Sequence, residues 1–416
     1  MTDPASGRLQ AWVPRGLCEL PPGSSPSELA DAGSGLVAVD LLWQQGALTA
    51  VTTLKIEDQP PSQLVLPRLV EPHAHLDKAF SWSLAPNPGG TYGGALAANL
   101  SEHQGRSTAG VRERAERALT LGLRNGLRAI RSHIDSLGPG ADCSWEALLD
   151  AQMGWRDRID LQLVALLPIE HWSTPEGERL ARRVALAGGL LGGVLVPPCA
   201  GRAVRQQLRR MLQLADQLGC GIDLHIDEAQ TGPAEGLHQL LRVLDHQPVS
   251  VSITCSHASS MALLPPRRLR SLIARMAKHR LQVVALPLTN GWLLGRTPQR
   301  TPLVRPLAPI LQLQQGDVRV AVGGDNVQDP WYPAGNFDPL ALMAQSLPLA
   351  QLAPWDRLGL MPFTTDAARV LNLPWDGVLR PGAPADLLVL QAATWQEALS
   401  CPPAREVVVS GVIQPH

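Results

Sequence analysis

The sequence has little of several features that mark particular classes of protein. Only 4% of its residues are aromatic and its net charge is −1, so no cationic, aromatic-rich surface for nucleic acid is expected. The six cysteines show no CxxC spacing, which argues against a zinc ribbon or a disulfide framework. No signal-peptide pattern and no uncharged apolar run long enough to span a bilayer occurs. We therefore predict a cytoplasmic protein with a small partner, and no nucleic-acid or membrane partner.

What is present is an alternation of short β-branched runs with longer amphipathic runs from Leu64 to Val327. This alternation is typical of βα units around a parallel sheet. A chain of 416 residues accommodates one large barrel and a smaller satellite. The eight strand candidates are Leu64–His75, Ala129–Ser136, Leu161–Pro168, Gly189–Pro198, Gly221–Glu228, Val249–His257, Leu281–Asn290 and Val318–Val327.

The two flanks of this region resemble each other, because both consist of short strand candidates separated by turn-forming residues. Chain termini often lie close together, so the two flanks can form one small domain. We predict an α/β fold: a (β/α)8 TIM barrel over residues 64–376, and a small β-sandwich formed by residues 1–63 and 377–416. Self-association into a homo-oligomer stays an open alternative.

The most informative stretch is Glu71-Pro-His-Ala-His-Leu-Asp-Lys78, at the end of the first strand candidate. Residues i and i+2 of a strand share one face, so His73 and His75 can reach the same metal ion. Functional residues of barrels lie at the C-terminal ends of strands, where three further metal-binding side chains occur. They are His225, His257 and Asp325. We predict a divalent metal ion held by His73, His75, His225 and Asp325.

Side chains beside these ligands suit hydrolytic chemistry. A bound metal lowers the pKa of a coordinated water and so supplies a nucleophile. Glu228 follows His225 at the same strand end and suits proton shuttling, although it can also be a surface residue that opens the next helix. Asp325 can accept the water's proton. His257 can orient the attacking oxygen, and a ligand role for His257 remains open.

One metal is favoured over two. Binuclear hydrolases on this fold commonly bridge their metals with a carboxylated lysine at the end of strand four, and no lysine occurs between Lys78 and Lys278. His133 is the candidate for a second metal, but without a bridging group it is more often a histidine that supports a ligand. Cys199, at the end of strand four, is a less favoured bridge.

Six motifs, in order along the chain, resemble the cytosine deaminase branch of the amidohydrolase superfamily. They are His73-Ala-His75-Leu-Asp, Arg131-Ser-His133-Ile-Asp, Asp223-Leu-His225-Ile-Asp-Glu228, Ser256-His257, Pro287-Leu-Thr-Asn-Gly-Trp-Leu-Leu-Gly-Arg296 and Gly324-Asp325-Asn-Val-Gln-Asp-Pro-Trp-Tyr-Pro333. The resemblance implies a mononuclear Fe²⁺ or Zn²⁺ site with the ligands above. It also implies Glu228 as the proton shuttle and His257 as the residue that polarises the water. The reaction would release ammonia from a cyclic amidine.

The residues expected in the substrate pocket differ from those of the cytosine deaminase branch. The cytosine enzymes have Phe-Pro-Gln-Glu-Gly after strand three, where this chain has Leu167-Pro-Ile169-Glu-His, and Ile169 cannot make the glutamine's contacts with the ring. Their His-Asp-Asp is Gly324-Asp325-Asn326 here, which removes one charge. We predict that Leu167, Ile169, Asn326 and Trp331 contact the substrate.

The string His-Leu-Asp-Lys78 is also similar to enzymes that hydrolyse N-alkylated triazines such as N-isopropylammelide. Those enzymes release an amine. The alternative role of Lys78 is an ion pair with Asp77 or a neighbouring carboxylate. We predict an aminohydrolase of pyrimidine metabolism that deaminates cytosine or a related pyrimidine or triazine. The alternatives are the amine-releasing hydrolase and a barrel that binds its ligand without turnover.

Overall fold

A computed structural model describes residues 5–21, 30–31, 34–54, 59–297, 299–400 and 402–415. The chain divides into two compact units, one of Pro72–Leu119 and Ile130–Asn336, the other of Met1–Glu71, Thr120–Ala129 and Phe337–His416. Within the described ranges, no helix is long and apolar enough to cross a membrane. Cys401 lies outside those ranges, and the cysteines inside them are free thiols.

The strands are β1 (Gly7–Pro14), β2 (Ala30–Asp31), β3 (Leu36–Gln44), β4 (Ala47–Thr53), β5 (Leu64–Pro67), β6 (Leu69–Ala74), β7 (Leu127–Asp135), β8 (Asp160–Leu166), β9 (Leu190–Leu195), β10 (Ile222–Ile226), β11 (Ile253–His257), β12 (Gln282–Ala285), β13 (Arg319–Val322), β14 (Leu387–Leu390), β15 (Arg405–Val409) and β16 (Val412–Ile413). The α-helices are α1 (Tyr92–Gln104), α2 (Thr108–Arg124), α3 (Ala141–Trp155), α4 (Pro175–Leu186), α5 (Arg202–Leu218), α6 (Glu235–Leu244), α7 (Pro266–Lys278), α8 (Pro287–Leu293), α9 (Ile310–Gln315), α10 (Pro339–Ala350), α11 (Arg357–Leu360), α12 (Thr365–Val370) and α13 (Trp395–Ser400).

Strands β6 to β13 form the parallel barrel sheet that the sequence predicts, with neighbours paired in chain order. Ala74, at the end of β6, bridges to Asp325 beyond β13, which brings the two edges of the sheet together. Every residue of β10 and β11 is buried, as expected for strands covered on both faces. The C-terminal ends of all eight strands therefore meet at one rim of the barrel.

The terminal segments form a second, mixed sheet in the order β16-β15-β14-β5-β1-β3-β2, with β4 paired to β3. β1 and β3 run antiparallel over eight residue pairs, and β14 runs antiparallel to β5. The indole nitrogen of Trp43 in β3 donates to the carbonyl oxygen of Gly411, 3.1 Å away. The two flanks thus form one separate β structure, as the sequence predicts, and its form is a mixed sheet.

The single strand predicted for Leu64–His75 is two strands. β5 belongs to the mixed sheet and β6 to the barrel. Pro67 has no N–H for a sheet ladder, so the change of partner falls where a ladder bond is already lost. The compact units divide the chain after Glu71, Leu119, Ala129 and Asn336. The domain boundaries after residues 63 and 376 stay predictions.

Strands β9 to β13 are all shorter than predicted, and the changes in β12 and β13 shape the site. β12 stops at Ala285, and α8 begins with Pro287, a residue suited to the first turn of a helix; Asn290 therefore lies on a helix. β13 stops at Val322, and Asp325 lies in the following turn with a φ of 65°. Aspartate tolerates this left-handed conformation better than most residues do.

Glycine allows the close contact of β8 and β9. A Cβ atom on Gly192 would lie 2.4 Å from the carbonyl oxygen of Ala165, whereas one on Gly154 in α3 would meet nothing within 4 Å. We expect Gly192→Ala to lower the free energy of unfolding by about 1–3 kcal/mol. Gly154→Ala, the matched control, should raise it by about 0.5–1 kcal/mol. Urea denaturation measures both, and equal effects would contradict this account of the packing.

Candidate metal centre and active site

The barrel rim brings the predicted metal ligands together. His73 lies near the end of β6, His75 directly follows β6, and His225 lies near the end of β10. The backbone nitrogen of Asp325 donates to the carbonyl oxygen of His73 at 3.0 Å, which ties the turn after β13 to β6. All four side chains are buried or nearly so.

Their donor atoms converge on one point. The Nε2 atoms of His73 and His225 lie 3.2 Å apart, and those of His225 and His75 lie 3.4 Å apart. Asp325 Oδ1 lies 3.3 Å from His75 Nε2 and 3.6 Å from His73 Nε2. Ligands bonded at about 2.0–2.1 Å in a tetrahedron are separated by about 3.3–3.4 Å. The four atoms are therefore spaced as ligands of one divalent metal ion, and the residues fit that group.

The hydrogen bonds of His73 direct its Nε2 lone pair to this point. Its Nδ1 lies 2.9 Å from Ser256 Oγ, and that hydroxyl donates to Asp223 Oδ1 at 2.7 Å. Because Ser256 has used its proton, its oxygen must accept from His73 Nδ1–H. Arg131 Nη1 in turn pairs with Asp223 Oδ2 at 2.9 Å. This chain of bonds leaves His73 Nε2 without a proton.

The charge states of these groups suit metal binding. Burial, together with the neighbouring imidazoles, holds the pKa values of His73 and His225 well below the ordinary histidine value. Burial alone would raise the pKa of Asp325, but its contacts with His75 and His257 keep that pKa below the usual value. Neutral imidazoles and an ionised carboxylate are the forms that bind divalent metals.

Glu228 and His257 form an acid–base pair beside the ligands. Glu228 Oε1 lies 3.4 Å from His257 Nδ1, and the side-chain amide of Asn290 donates to both atoms, at 3.3 and 3.0 Å. His257 Nδ1 therefore accepts, and the ring proton resides on Nε2, which has no hydrogen-bond partner among the described residues. Burial, and then the charge of Asp325, raises the pKa of Glu228 well above its ordinary value.

A cavity of about 110 Å³ adjoins these groups. Of the predicted substrate-binding residues, Asn326 and Trp331 line it, whereas Leu167 and Ile169 do not. Leu166, the last residue of β8, lines it instead. Neighbouring strand residues point to opposite faces, which turns Leu167 away, and Ile169 packs beside Gly193. Leu166 thus takes the position that the sequence assigned to Leu167 and Ile169.

Known proteins match this chain over most of its length. The profile of the amidohydrolase family matches residues 181–414, more than half of the chain. A pterin deaminase from Rhizobium rhizogenes is 32% identical over 388 residues, which cover 91% of this chain and 88% of that protein. The chain belongs to the amidohydrolase family. The resemblance seen in the sequence is thereby confirmed, and the protein is a hydrolytic enzyme that acts on C–N bonds.

Two further relatives of this amidohydrolase are informative. The N-isopropylammelide isopropyl amidohydrolase of Pseudomonas sp. is 25% identical over 358 residues, 83% of this chain and 84% of that protein. The crystal structure of 5-methylcytosine deaminase from Klebsiella pneumoniae with 5-fluorocytosine superposes with a TM-score of 0.81 over 97% of each chain, at 23% identity. That structure supports the barrel fold of the amidohydrolase.

His133 and Cys199 were weighed above as parts of a second metal site. The ring of His133 stacks on that of His73, with 3.8 Å between centroids, and its Nε2 lies 3.7 Å from Asp223 Oδ2. Neither ring nitrogen of His133 has a hydrogen-bond partner within the described residues. Cys199 does not line the cavity, and burial raises the pKa of its thiol to about 12. The stacking supports His133 as a packing partner of His73.

Several residues that line the cavity of the amidohydrolase were missed or left without a role. Tyr92, Leu96 and Asn99 come from α1, in a segment for which no helix was predicted. Their spacing of four and three residues is the signal that would have placed them on one helix face.

Lys78 pairs with Asp135 at 2.6 Å, so its predicted alternative of an ion pair with a neighbouring carboxylate is seen.

Behind these residues lies a buried network of charges centred on Arg106. Its guanidinium contacts Asp77 at 2.8 Å, Asp135 at 3.3 Å and, through Nε, Glu102 at 3.0 Å. Glu102 also accepts from Arg114 at 2.7 Å. With Lys78, the network holds three cations and three carboxylates and is electrically balanced.

We expect Arg106→Met to lower the free energy of unfolding of this amidohydrolase by about 3–5 kcal/mol, because it leaves buried carboxylates uncompensated. The matched control is Arg112→Met, which removes an exposed pair with Asp150 at 2.6 Å and should cost at most about 1 kcal/mol. Chemical denaturation monitored by tryptophan fluorescence measures both. Similar values for the two variants would show that the network does not stabilise the fold.

Proposed function

We propose that this amidohydrolase holds one divalent metal ion on His73, His75, His225 and Asp325 and removes the exocyclic amino group of a cyclic amidine as ammonia. The observation that carries the proposal is the pairing of Glu228 with His257 through Asn290, next to four converging donor atoms. A simple binding site needs neither a neutral buried carboxyl nor a directed imidazole N–H. The cytoplasmic location and the oligomeric state stay predictions.

The metal, when bound, supplies a nucleophilic water at neutral pH. His257 Nε2–H donates a hydrogen bond to the attacking oxygen, and Asp325 accepts the proton that the water loses. Glu228, protonated in its buried position, gives its proton to the ring nitrogen of the amidine. As the exocyclic C–N bond breaks, Asp325 passes the water's proton to the leaving nitrogen, and the added hydroxyl gives its proton to Glu228. Water and the amino compound thus yield the oxo compound and ammonia, and both carboxyl groups return to their starting states.

The ring we place first is a 2-amino-4-oxo heterocycle of the pterin type. Its support is the 32% identity with an enzyme named for pterin. Cytosine ranks lower, because Ile169 replaces the substrate-holding glutamine of the cytosine enzymes and is buried away from the cavity. Cytosine and triazines remain substrates to be tested.

The second candidate is hydrolysis of an N-alkylamino ring with release of an amine. It is supported by the 25% identity with the isopropylammelide enzyme and by Leu96 and Leu166, which give the cavity an apolar wall for an alkyl group. The groups that move protons would be the same. Only the leaving nitrogen differs.

The test measures metal content and products on protein prepared with Zn²⁺ or Fe²⁺. Pterin, isocytosine, cytosine, 5-methylcytosine and N-isopropylammelide are the substrates. About one metal per chain with ammonia from an amino ring would support the deaminase. Isopropylamine without ammonia would move the assignment to the second candidate, and absence of both products would favour a binding protein.

Glu228→Gln should keep the metal and lose about 10²–10⁴-fold in kcat, because a glutamine side chain fits the same space but cannot transfer the proton. The control is Glu176→Gln, at an exposed glutamate on α4. Metal per chain and the initial rate of ammonia release are measured together. Unchanged turnover with bound metal would remove Glu228 from the mechanism.

Ser256→Ala should weaken metal binding about 10–100-fold, because His73 loses the acceptor that sets its tautomer. Ser250 offers a matched control: its hydroxyl also donates to an aspartate, Asp216, at 2.7 Å, but at the exposed surface. Competition with a chromophoric chelator gives both dissociation constants. Equal affinities in the two variants would contradict the role of Ser256.

A further inference from the structure

A second group of side chains lines the catalytic cavity and transfers no proton in the chemistry proposed above. Helix α1 presents Tyr92, Leu96 and Asn99 to the cavity from one face. The helix is fixed at its start, where the Thr91 side chain accepts from the nitrogen of Gly94 at 3.1 Å. The ring of Tyr92 also packs edge-on against Trp331, 5.1 Å between centroids. The position of Asn99 on this helix is thus well defined.

The orientation of the Asn99 amide follows from its neighbour. Asp135 carries ion pairs to Lys78 at 2.6 Å and to Arg106 at 3.3 Å. Burial alone would raise the pKa of Asp135, but these cations hold it well below the usual value, so the carboxylate only accepts hydrogen bonds. Asn99 must therefore turn its NH2 group to Asp135, and Nδ2 lies 3.1 Å from Oδ2.

This arrangement leaves an acceptor on Asn99 and donors on Lys78 available to a ligand. Asn99 Oδ1 is buried and has no hydrogen-bond partner among the described residues, and Asn99 as a whole is only 6% exposed. The Lys78 ammonium has three N–H donors, of which the bond to Asp135 uses one. Asn99 and Lys78 bond the two oxygens of the same carboxylate, and all three residues line the cavity.

We propose that Asn99 and Lys78, held by Asp135, bind the lactam edge of the substrate ring, with Asn99 Oδ1 accepting from the ring N–H and Lys78 Nζ donating to the adjacent carbonyl oxygen. The inference rests on the proposed function and names its substrate class: amino heterocycles that carry an N–H beside a C=O. Asn99 and Lys78 are specificity-determining residues and take no part in breaking the C–N bond.

The pair discriminates against rings whose edge is reversed. A 2,4-diamino ring presents a nitrogen lone pair where the lactam has its N–H, and an amino group where the lactam has its carbonyl oxygen. Asn99 Oδ1 would then face another acceptor, and the Lys78 ammonium another donor. A site of buried hydrogen-bonding groups rejects such an analogue, because the buried groups are left unpaired.

The test compares ligands that differ only at this edge: pterin with 2,4-diaminopteridine, and isocytosine with 2,4-diaminopyrimidine. Dissociation constants are measured by calorimetry on Zn²⁺-loaded Glu228→Gln protein and on the same protein without metal. The Glu228→Gln variant is used because it should convert the lactam ligands too slowly to consume them during the measurement. We expect the lactam member of each pair to bind at least about tenfold more tightly. Adding Asn99→Ala should weaken lactam binding about tenfold and change diamino binding less than threefold.

Two further variants separate recognition from structure. Asn99→Leu fills the same space without an acceptor and should reproduce the effect of Asn99→Ala. Ser101→Ala, on the exposed side of α1, should change no dissociation constant. In the otherwise wild-type enzyme, Asn99→Ala should raise KM for pterin more than it lowers kcat.

Equal weakening of lactam and diamino ligands by Asn99→Ala would show a structural role and overturn the inference. Absence of a lactam preference in both pairs would do the same. The proposed function fails by a different result, which is metal-loaded wild-type enzyme that releases no ammonia from any of these rings. Because the binding preference is measured without turnover, either proposal can fail while the other stands.

Discussion

Four electron-rich atoms from three regions of the chain converge at the rim of the barrel, and four of their contacts measure 3.2 to 3.6 Å. Lone pairs at this distance repel one another in a buried site, and the hydrogen bond from His73 to Ser256 leaves no proton on His73 Nε2 to relieve the repulsion. A divalent cation is the simplest group that turns this arrangement from unfavourable to favourable. The parallel strands provide rigidity at this point, because β6 and β10 position the three histidines and a backbone hydrogen bond ties Asp325 to His73.

The cavity brings together two polar environments that the fold keeps distinct. Neutral imidazoles and the protonated Glu228 suit proton transfer, and burial stabilises their uncharged forms. Lys78, Asp135 and Arg106 stay charged although they are buried, because each cation has a carboxylate partner. The ion-paired side of the cavity therefore keeps a fixed pattern of donors and acceptors, next to the uncharged groups proposed to transfer protons.

Much of the fold could be predicted, and so could the meeting of the proposed ligands at one rim, because both depend on local periodicity. The two-residue period of a strand identified His73 and His75, and the repeated runs identified eight barrel strands. The change from β5 to β6 at Pro67 was missed because β5 pairs with β14, more than 300 residues away in sequence, and no local pattern reports such pairing. Leu166 was missed for a related reason: an error of one residue in a strand's phase exchanges the inward and outward faces.

The cavity residues that the sequence analysis missed, such as Leu166 and Asn99, lie outside the proposed ligand set. Relatives named for pterin and isopropylammelide match 91% and 83% of this chain, and a 5-methylcytosine deaminase shares its fold, so the same fold occurs in proteins named for different rings. The catalytic requirement is the same for each ring: a nucleophilic water, a proton donor and an oriented leaving nitrogen. Selection among rings must then come from side chains outside the ligand set. Helix α1 and the end of β7 place such side chains at the cavity, where Asn99 bonds Asp135 across 36 residues of sequence.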